Sequence, residues 1–209
     1  MHSISTAAQT RAAVTTSSRP EAALVSCELK VLRPSDAQAS SACQELCEKV
    51  PLDTLGCYNR KYAVLDHSML KNAHHFLAFD PKRTGYDYAR LVVLQGAEGL
   101  MGYCLVHVSH RNRNRLDTQV DLYLDEVWIE PAHRGQGLAR QLVQGFVSVA
   151  EEALDRMGAF RKVRVLAHAV SPSGAAFTRQ AQQALSAHLD EIVELAMNRC
   201  ADLHRAPWA

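Results

Sequence analysis

The chain has 209 residues, 47% of them hydrophobic and 22% charged, the composition of a folded globular protein and not of a disordered or fibrous one. Lys and Arg (23) nearly balance Asp and Glu (22), for a formal net charge of +1, which argues against a bulk electrostatic grip on nucleic acid and leaves only a local basic patch open. No apolar run approaches the ~18 residues that a membrane-crossing helix needs, so no membrane role is expected.

Residues 1–26 are rich in Ser, Thr and Ala, and Glu21 is their only acidic residue. They lack the apolar core of a secretory signal and read as a disordered tail; the same bias suits an organelle-targeting segment or a bacterial effector's secretion signal. Residues 27–209 are then expected to form one domain, in the cytoplasm unless the tail redirects it. The six cysteines (Cys27, Cys43, Cys47, Cys57, Cys104 and Cys200) form no Cys-x-x-Cys pair. Cys43 and Cys47 lie one helical turn apart but lack a completing set of histidines. They read as small buried apolar residues in a reducing compartment, and no metal site is expected.

The run CELKVLRP alternates like a strand, and Ser35 is placed to cap a helix over 36–49, stopped by Pro51. Leu52 to Arg90 carries no clear period and suits a binding wall. ARLVVLQ and GLMGYCLVHVS read as a hairpin around Gly96–Gly99, followed by a basic loop at Arg111–Arg115. The strand VDLYLDEVWIE follows and ends at Pro131. An amphipathic helix then runs from Leu138 to Met157, RKVRVLAHAV makes another strand, and Ser173 to about His204 reads as helix, broken near His188. The order is that of an α/β domain built on a mixed sheet.

Chemistry concentrates in the run from Leu124 to Ala139. A strand stops at a proline, passes through His133-Arg134-Gly135-Gln136-Gly137, and enters a helix. A helix start presents unpaired N–H groups and the positive end of its dipole, and glycines let a phosphate approach the backbone. No Gly-x4-Gly-Lys-Ser/Thr run exists, and Arg140 stands where the third glycine of a dinucleotide fingerprint belongs. What remains is Arg-x-x-Gly-x-Ala, as Arg134 to Ala139.

Val127-Trp128-Ile129-Glu130-Pro131 followed by Arg134–Ala139 resembles the GNAT superfamily of acyl-CoA-dependent N-acetyltransferases, whose pyrophosphate motif follows such a strand. The match is densest over about residues 120–150. The resemblance implies a GNAT-like mixed sheet flanked by helices, with acetyl-CoA as co-substrate. It implies that amides from Arg134, Gly135, Gln136, Gly137, Leu138 and Ala139 hold the pyrophosphate, and that the backbone of Val127, Trp128 and Ile129 pairs with the pantetheine arm and polarises the thioester. Arg140 is either a phosphate contact or a solvated arginine. Asp125 and Glu126 stand where the family often carries carboxylates. Alternation would send them to opposite faces, with Glu126 beside Trp128 and slightly favoured as the base; a counter-ion or a structural role is open to either.

Two departures stand out. Where many relatives carry Asn-x-x-Ala-x-x-Phe-Tyr, this chain has Ser171 through Phe177 and Thr178. A threonine hydroxyl is a far weaker acid than a phenol, whose pKa is about 10. Thr178 then only binds cofactor, Tyr103 or Tyr123 substitutes, or the thiolate leaves unassisted. In place of the family's last two strands stands LSAHLDEIVELAMNRCADLH, expected as a helix that covers the sheet edge or meets a second subunit or partner. His74, His75 and His107 are candidates to line the acceptor site, and His168 ends a strand beside the cleft.

The expected activity is transfer of acetyl from acetyl-CoA to a primary amine of an unidentified small molecule or protein, by direct attack in a ternary complex. Charge disfavours a tRNA-borne acceptor. The alternatives are a non-catalytic acyl-CoA-binding module, suggested by Thr178 and the missing strands, and an interaction protein with no affinity for CoA.

Overall fold

The computed structural model describes residues 26–50, 58–59, 64–65, 68–84, 87–112, 118–157, 162–169, 171–189 and 193–199. The expected tail, Ser26 apart, lies outside them, as do Cys57 and Cys200. In chain order the elements are β1 (Glu28–Leu32), α1 (Ala37–Lys49), β2 (Tyr58–Asn59), β3 (Val64–Leu65), α2 (Ser68–Leu77), α3 (Pro81–Thr84), β4 (Tyr88–Gly96), β5 (Gly99–Asn112), β6 (Thr118–Ile129), a 3-10 turn (Pro131–His133), α4 (Leu138–Met157), β7 (Lys162–Ala169), α5 (Pro172–Leu189) and β8 (Glu194–Arg199). The main sheet has the order β1-β4-β5-β6-β7-β8. Its first three pairings are antiparallel and its last two parallel. The expected mixed sheet flanked by helices is therefore present.

Each face of the sheet carries its own core. On one face, Val120, Leu122 and Leu124 of β6 pack under Leu138, Leu142, Phe146 and Val149 of α4 and Phe177, Ala181 and Leu185 of α5. The three- and four-residue spacing of that α4 set gives one continuous apolar stripe, so the helix forms because it can bury that stripe. α4 lies so close to the sheet that a Cβ on Gly145 would meet Val92 Cγ1 at 2.4 Å. On the other face, Ala39, Cys43 and Leu46 of α1 and Ala73 and Phe76 of α2 cover Leu91, Val93, Tyr103, Leu105 and Trp128. The stretch expected to be irregular holds β2, β3, α2 and α3.

Two expectations are corrected. Helix α1 is preceded by Asp36 at the N-cap and not by Ser35, and Asp36 uses its carboxylate to accept from the Arg33 amide at 2.7 Å. The C-terminal helix expected to continue past Leu189 stops there, and Glu194–Arg199 form β8, parallel to β7 from Arg164↔Glu194 to Ala169↔Arg199. Glu, Leu, Ala and Met favour helix intrinsically, but tertiary ties outweigh that preference here. Buried Val193 donates its N–H to Ser186 Oγ (2.9 Å) and accepts Gln182 Nε2 on its carbonyl (2.6 Å), which turns the chain onto the open edge of β7. A Lys162–Glu194 ion pair spans the same edge. The C-terminal helix expected to cover the sheet edge or meet a second subunit or partner is thus replaced, over Glu194–Arg199, by a strand.

Candidate active site

The site begins where two strands part. β6 pairs with β7 only from Gln119↔Lys162 to Leu124↔Ala167. Beyond Leu124, β6 has no β7 partner among the described residues, although Glu126 to Ile129 keep their β5 partners and β7 continues along β8. The backbone of this end of β6 is therefore half an open edge, able to accept an extended chain as an added strand. A clamp, invisible in the sequence, ties the closed part together. Arg164 of β7 donates to both carboxylate oxygens of Asp121 on β6, at 2.8 and 2.9 Å, and Asp121 is fully buried.

Beyond the open edge the 3-10 turn leads into α4. Gly135 and Gly137 adopt φ of +78° and +81°, the left-handed region that costs other residues about 1–2 kcal/mol. A Cβ built on either would meet nothing within 4 Å, so their surroundings are open space. Among the described residues, the amides of Gly135, Gln136, Gly137, Leu138 and Ala139 have no acceptor. The neighbouring amides do: Arg134 donates to the Pro131 carbonyl (3.3 Å) and Arg140 to the Gly137 carbonyl (3.0 Å). Arg134 therefore contributes no free amide, in contrast to the expectation. Its side chain instead braces the turn by donating to the Ile129 carbonyl at 3.0 Å, as Gln136 does to the Ala132 carbonyl at 3.2 Å. Arg140 is exposed at the helix surface. A run of free amides at the start of a long helix, next to an open edge, has the donors and the dipole to receive an anion.

The carboxylates are placed by a β-bulge. Leu105 pairs with Glu126 and Val106 with Leu124, leaving Asp125 as an extra residue. The burial pattern shows the consequence. Val120, Leu122 and Leu124 face the α4 core, and Val127 and Ile129 pack against that same core. The alternation thus slips by one residue across Asp125. Glu126 shares the α1 face with Trp128, as expected. Asp125, however, is bonded to Nδ1 of His107, which follows Tyr103 and Leu105 on that same α1 face of β5 and lies 6.1 Å from the Phe79 ring. Both carboxylates therefore serve one face, which corrects the expectation of opposite faces.

Glu126 is 7% exposed. Burial, with the nearby Glu126 charge, pushes the Tyr103 phenol well above its usual value. Burial and then the same carboxylate raise the Cys47 thiol on α1. Tyr103 is fully buried and, with so high a pKa, is ill suited to give up a proton. Thr178 is also buried and donates its hydroxyl to the Gly174 carbonyl at 2.9 Å, an intrahelical bond that occupies its proton. Ser171 caps α5, its Oγ accepting from the Gly174 amide at 3.0 Å. Tyr123 pairs across the sheet with His107. His74 and His75 are exposed on α2, and His168 lies one residue past the last β6–β7 pair. The sequence offered His107 as a site-lining residue, but only the bulge reveals its partner.

The model of the Acetyltransferase (GNAT) family matches residues 57–177, more than half the chain. No curated protein matches it. Among solved structures, the chain is similar to the aminoglycoside N-acetyltransferase AAC(6')-Iy in complex with CoA, at 14% identity and a TM-score of 0.44, over 77% of this chain and 86% of that one. It is similar to a ribosomal-protein-alanine N-acetyltransferase from Brucella melitensis biovar Abortus 2308, at 17% identity and a TM-score of 0.43, over 74% and 90%. A third, an aminoglycoside acetyltransferase from an uncultured soil metagenomic sample in complex with sisomicin, shares 15% identity at a TM-score of 0.43, over 75% and 87%. The family match, with its match region spanning the strand, the turn and α4, places the chain in the GNAT acetyltransferase family, whose acyl donor is acetyl-CoA.

Proposed function

We propose that the chain is an acetyl-CoA-dependent N-acetyltransferase that acts on a primary amine by direct attack in a ternary complex. The observation that carries this reading is the parting of β6 from β7 beside the amides of Gly135 to Ala139, which have no acceptor among the described residues. Those amides would hold the CoA pyrophosphate, and the open edge at Val127–Ile129 would hold the pantetheine arm and polarise the thioester carbonyl. The acceptor approaches from the α1 face, where Glu126 and Asp125 meet. An acceptor ammonium gives one proton to Glu126, and its nitrogen lone pair bonds to the thioester carbon. The C–S electron pair leaves with sulfur, and a second nitrogen proton goes to the thiolate or to solvent. Thr178 donates within its own helix and Tyr103 is fully buried, which leaves Tyr123 or unassisted departure for the thiolate.

That same feature of Thr178 favours a second reading, a CoA-binding module without turnover. Release of free thiol from acetyl-CoA, measured against polyamines, aminoglycosides, lysine peptides and peptide N-termini, separates the two. Amine-dependent release supports the transferase. CoA binding with no release from any amine supports the binding module.

A further inference from the structure

We propose that His107 is a positioning residue that holds Asp125 as the anchor for the acceptor ammonium, leaving Glu126 to take its proton. The inference rests on the transferase reading and deepens it. His107 is buried, at 5% exposure, while the side chain of Asp125 is 29% exposed. The exposed member of the pair is therefore the one that can meet an acceptor, and the ring stands behind it. An ionised carboxylate can only accept, so Nδ1 carries the proton and donates it to Asp125. Asp125 occupies the extra position of a bulge, where no cross-strand partner sets its backbone. Without a fixed donor its side chain would be free to turn away from Glu126, which it would otherwise crowd as a like charge. The ring itself is held by β5 and by Phe79. The sheet thus supplies through His107 the rigidity that the bulge removes.

The test compares two substitutions of similar shape. The Asn side-chain nitrogen occupies the place of Nδ1, and that of Gln the place of Nε2. Steady-state transfer to the best amine is measured with calorimetry of acetyl-CoA for each variant. His107→Asn is expected to keep the amine KM within about twofold of the wild type. His107→Gln and His107→Ala should raise it about tenfold or more, with kcat and CoA affinity little changed. Adding His107→Gln to Asp125→Asn should cost nothing further. Equal impairment of the Asn and Gln variants, a loss confined to kcat, or additive costs with Asp125→Asn would overturn the positioning role. CoA binding without thiol release by the wild type would overturn the transferase reading beneath it, and is recognised before any variant is made.

Discussion

Replacing Glu152 with Gln should destabilise the protein in a strongly pH-dependent way. Glu152 on α4 is the hub of a cationic cluster. It accepts from Arg90 Nη2 at 2.8 Å and Nε at 3.2 Å, and lies 3.3 Å from Arg33 and 3.5 Å from Arg156. Arg90 is only 5% exposed and lies 3.6 Å over the Tyr88 ring. The Arg90 hydrogen bond, opposed by burial and helped by the Tyr88 hydroxyl and the Arg90 and Arg33 charges, lowers the Glu152 pKa from 4.5 to about 2. A depression of that size corresponds to about 3 kcal/mol, and the 30% exposure of the carboxylate reduces it to about 2 kcal/mol. Because the folded value is the lower one, this stability is present above the unfolded pKa and is lost as pH falls from about 4.5 towards 2. Urea unfolding of both proteins at pH 7 and pH 3 reads the difference. The gap should be about 2 kcal/mol at pH 7 and less than half as large at pH 3. A gap of the same size at both pH values would show that Glu152 acts through packing, and no gap at pH 7 would refute the cluster's role.

Gly145→Ala offers a contest between two effects of known sign. In an open helix the change stabilises by about 1 kcal/mol, but here the new methyl meets the short, stiff Val92 side chain at 2.4 Å, so thermal unfolding should show a net loss of about 1–3 kcal/mol. Burial, then the neighbouring Cys47, pushes the Cys43 thiol up to about 11, and burial, then Asp125, raises Cys104 as well. Alkylation at pH 8 followed by peptide mapping should find both unmodified in the native protein and both modified after unfolding. Fast native labelling of either would contradict the packing of its core.

Much of the fold could be read from short-range pattern. The α4 stripe, the β4–β5 hairpin and the strand–proline–glycine turn carry their periods and breakers in the residues themselves, and α4 runs from Leu138 to Met157 as its spacing indicates. The glycines of the cradle were legible because only a left-handed turn requires both. What escaped the sequence depends on partners far away in the chain. The bulge at Asp125 is a matter of register against β5, and no local pattern announces it; hence the carboxylates were expected on opposite faces. The Asp121–Arg164 clamp joins residues of two strands separated by α4. β8 is rich in helix-favouring residues, Glu194, Leu195, Ala196 and Met197 among them, and becomes a strand because the β7 edge lies open beside it.

Calorimetric titration of acetyl-CoA into the wild-type chain and into Gly137→Glu tests the cradle most directly. The new side chain enters open space at a left-handed position, at a strain of about 1–2 kcal/mol that leaves the fold intact, and it sets a carboxylate against the expected pyrophosphate. Micromolar binding by the wild type, weakened about a hundredfold or more in the variant, is the expected result. No binding by the wild type, or equal binding by a folded variant, would contradict the assignment of the Gly135–Ala139 amides to the cofactor.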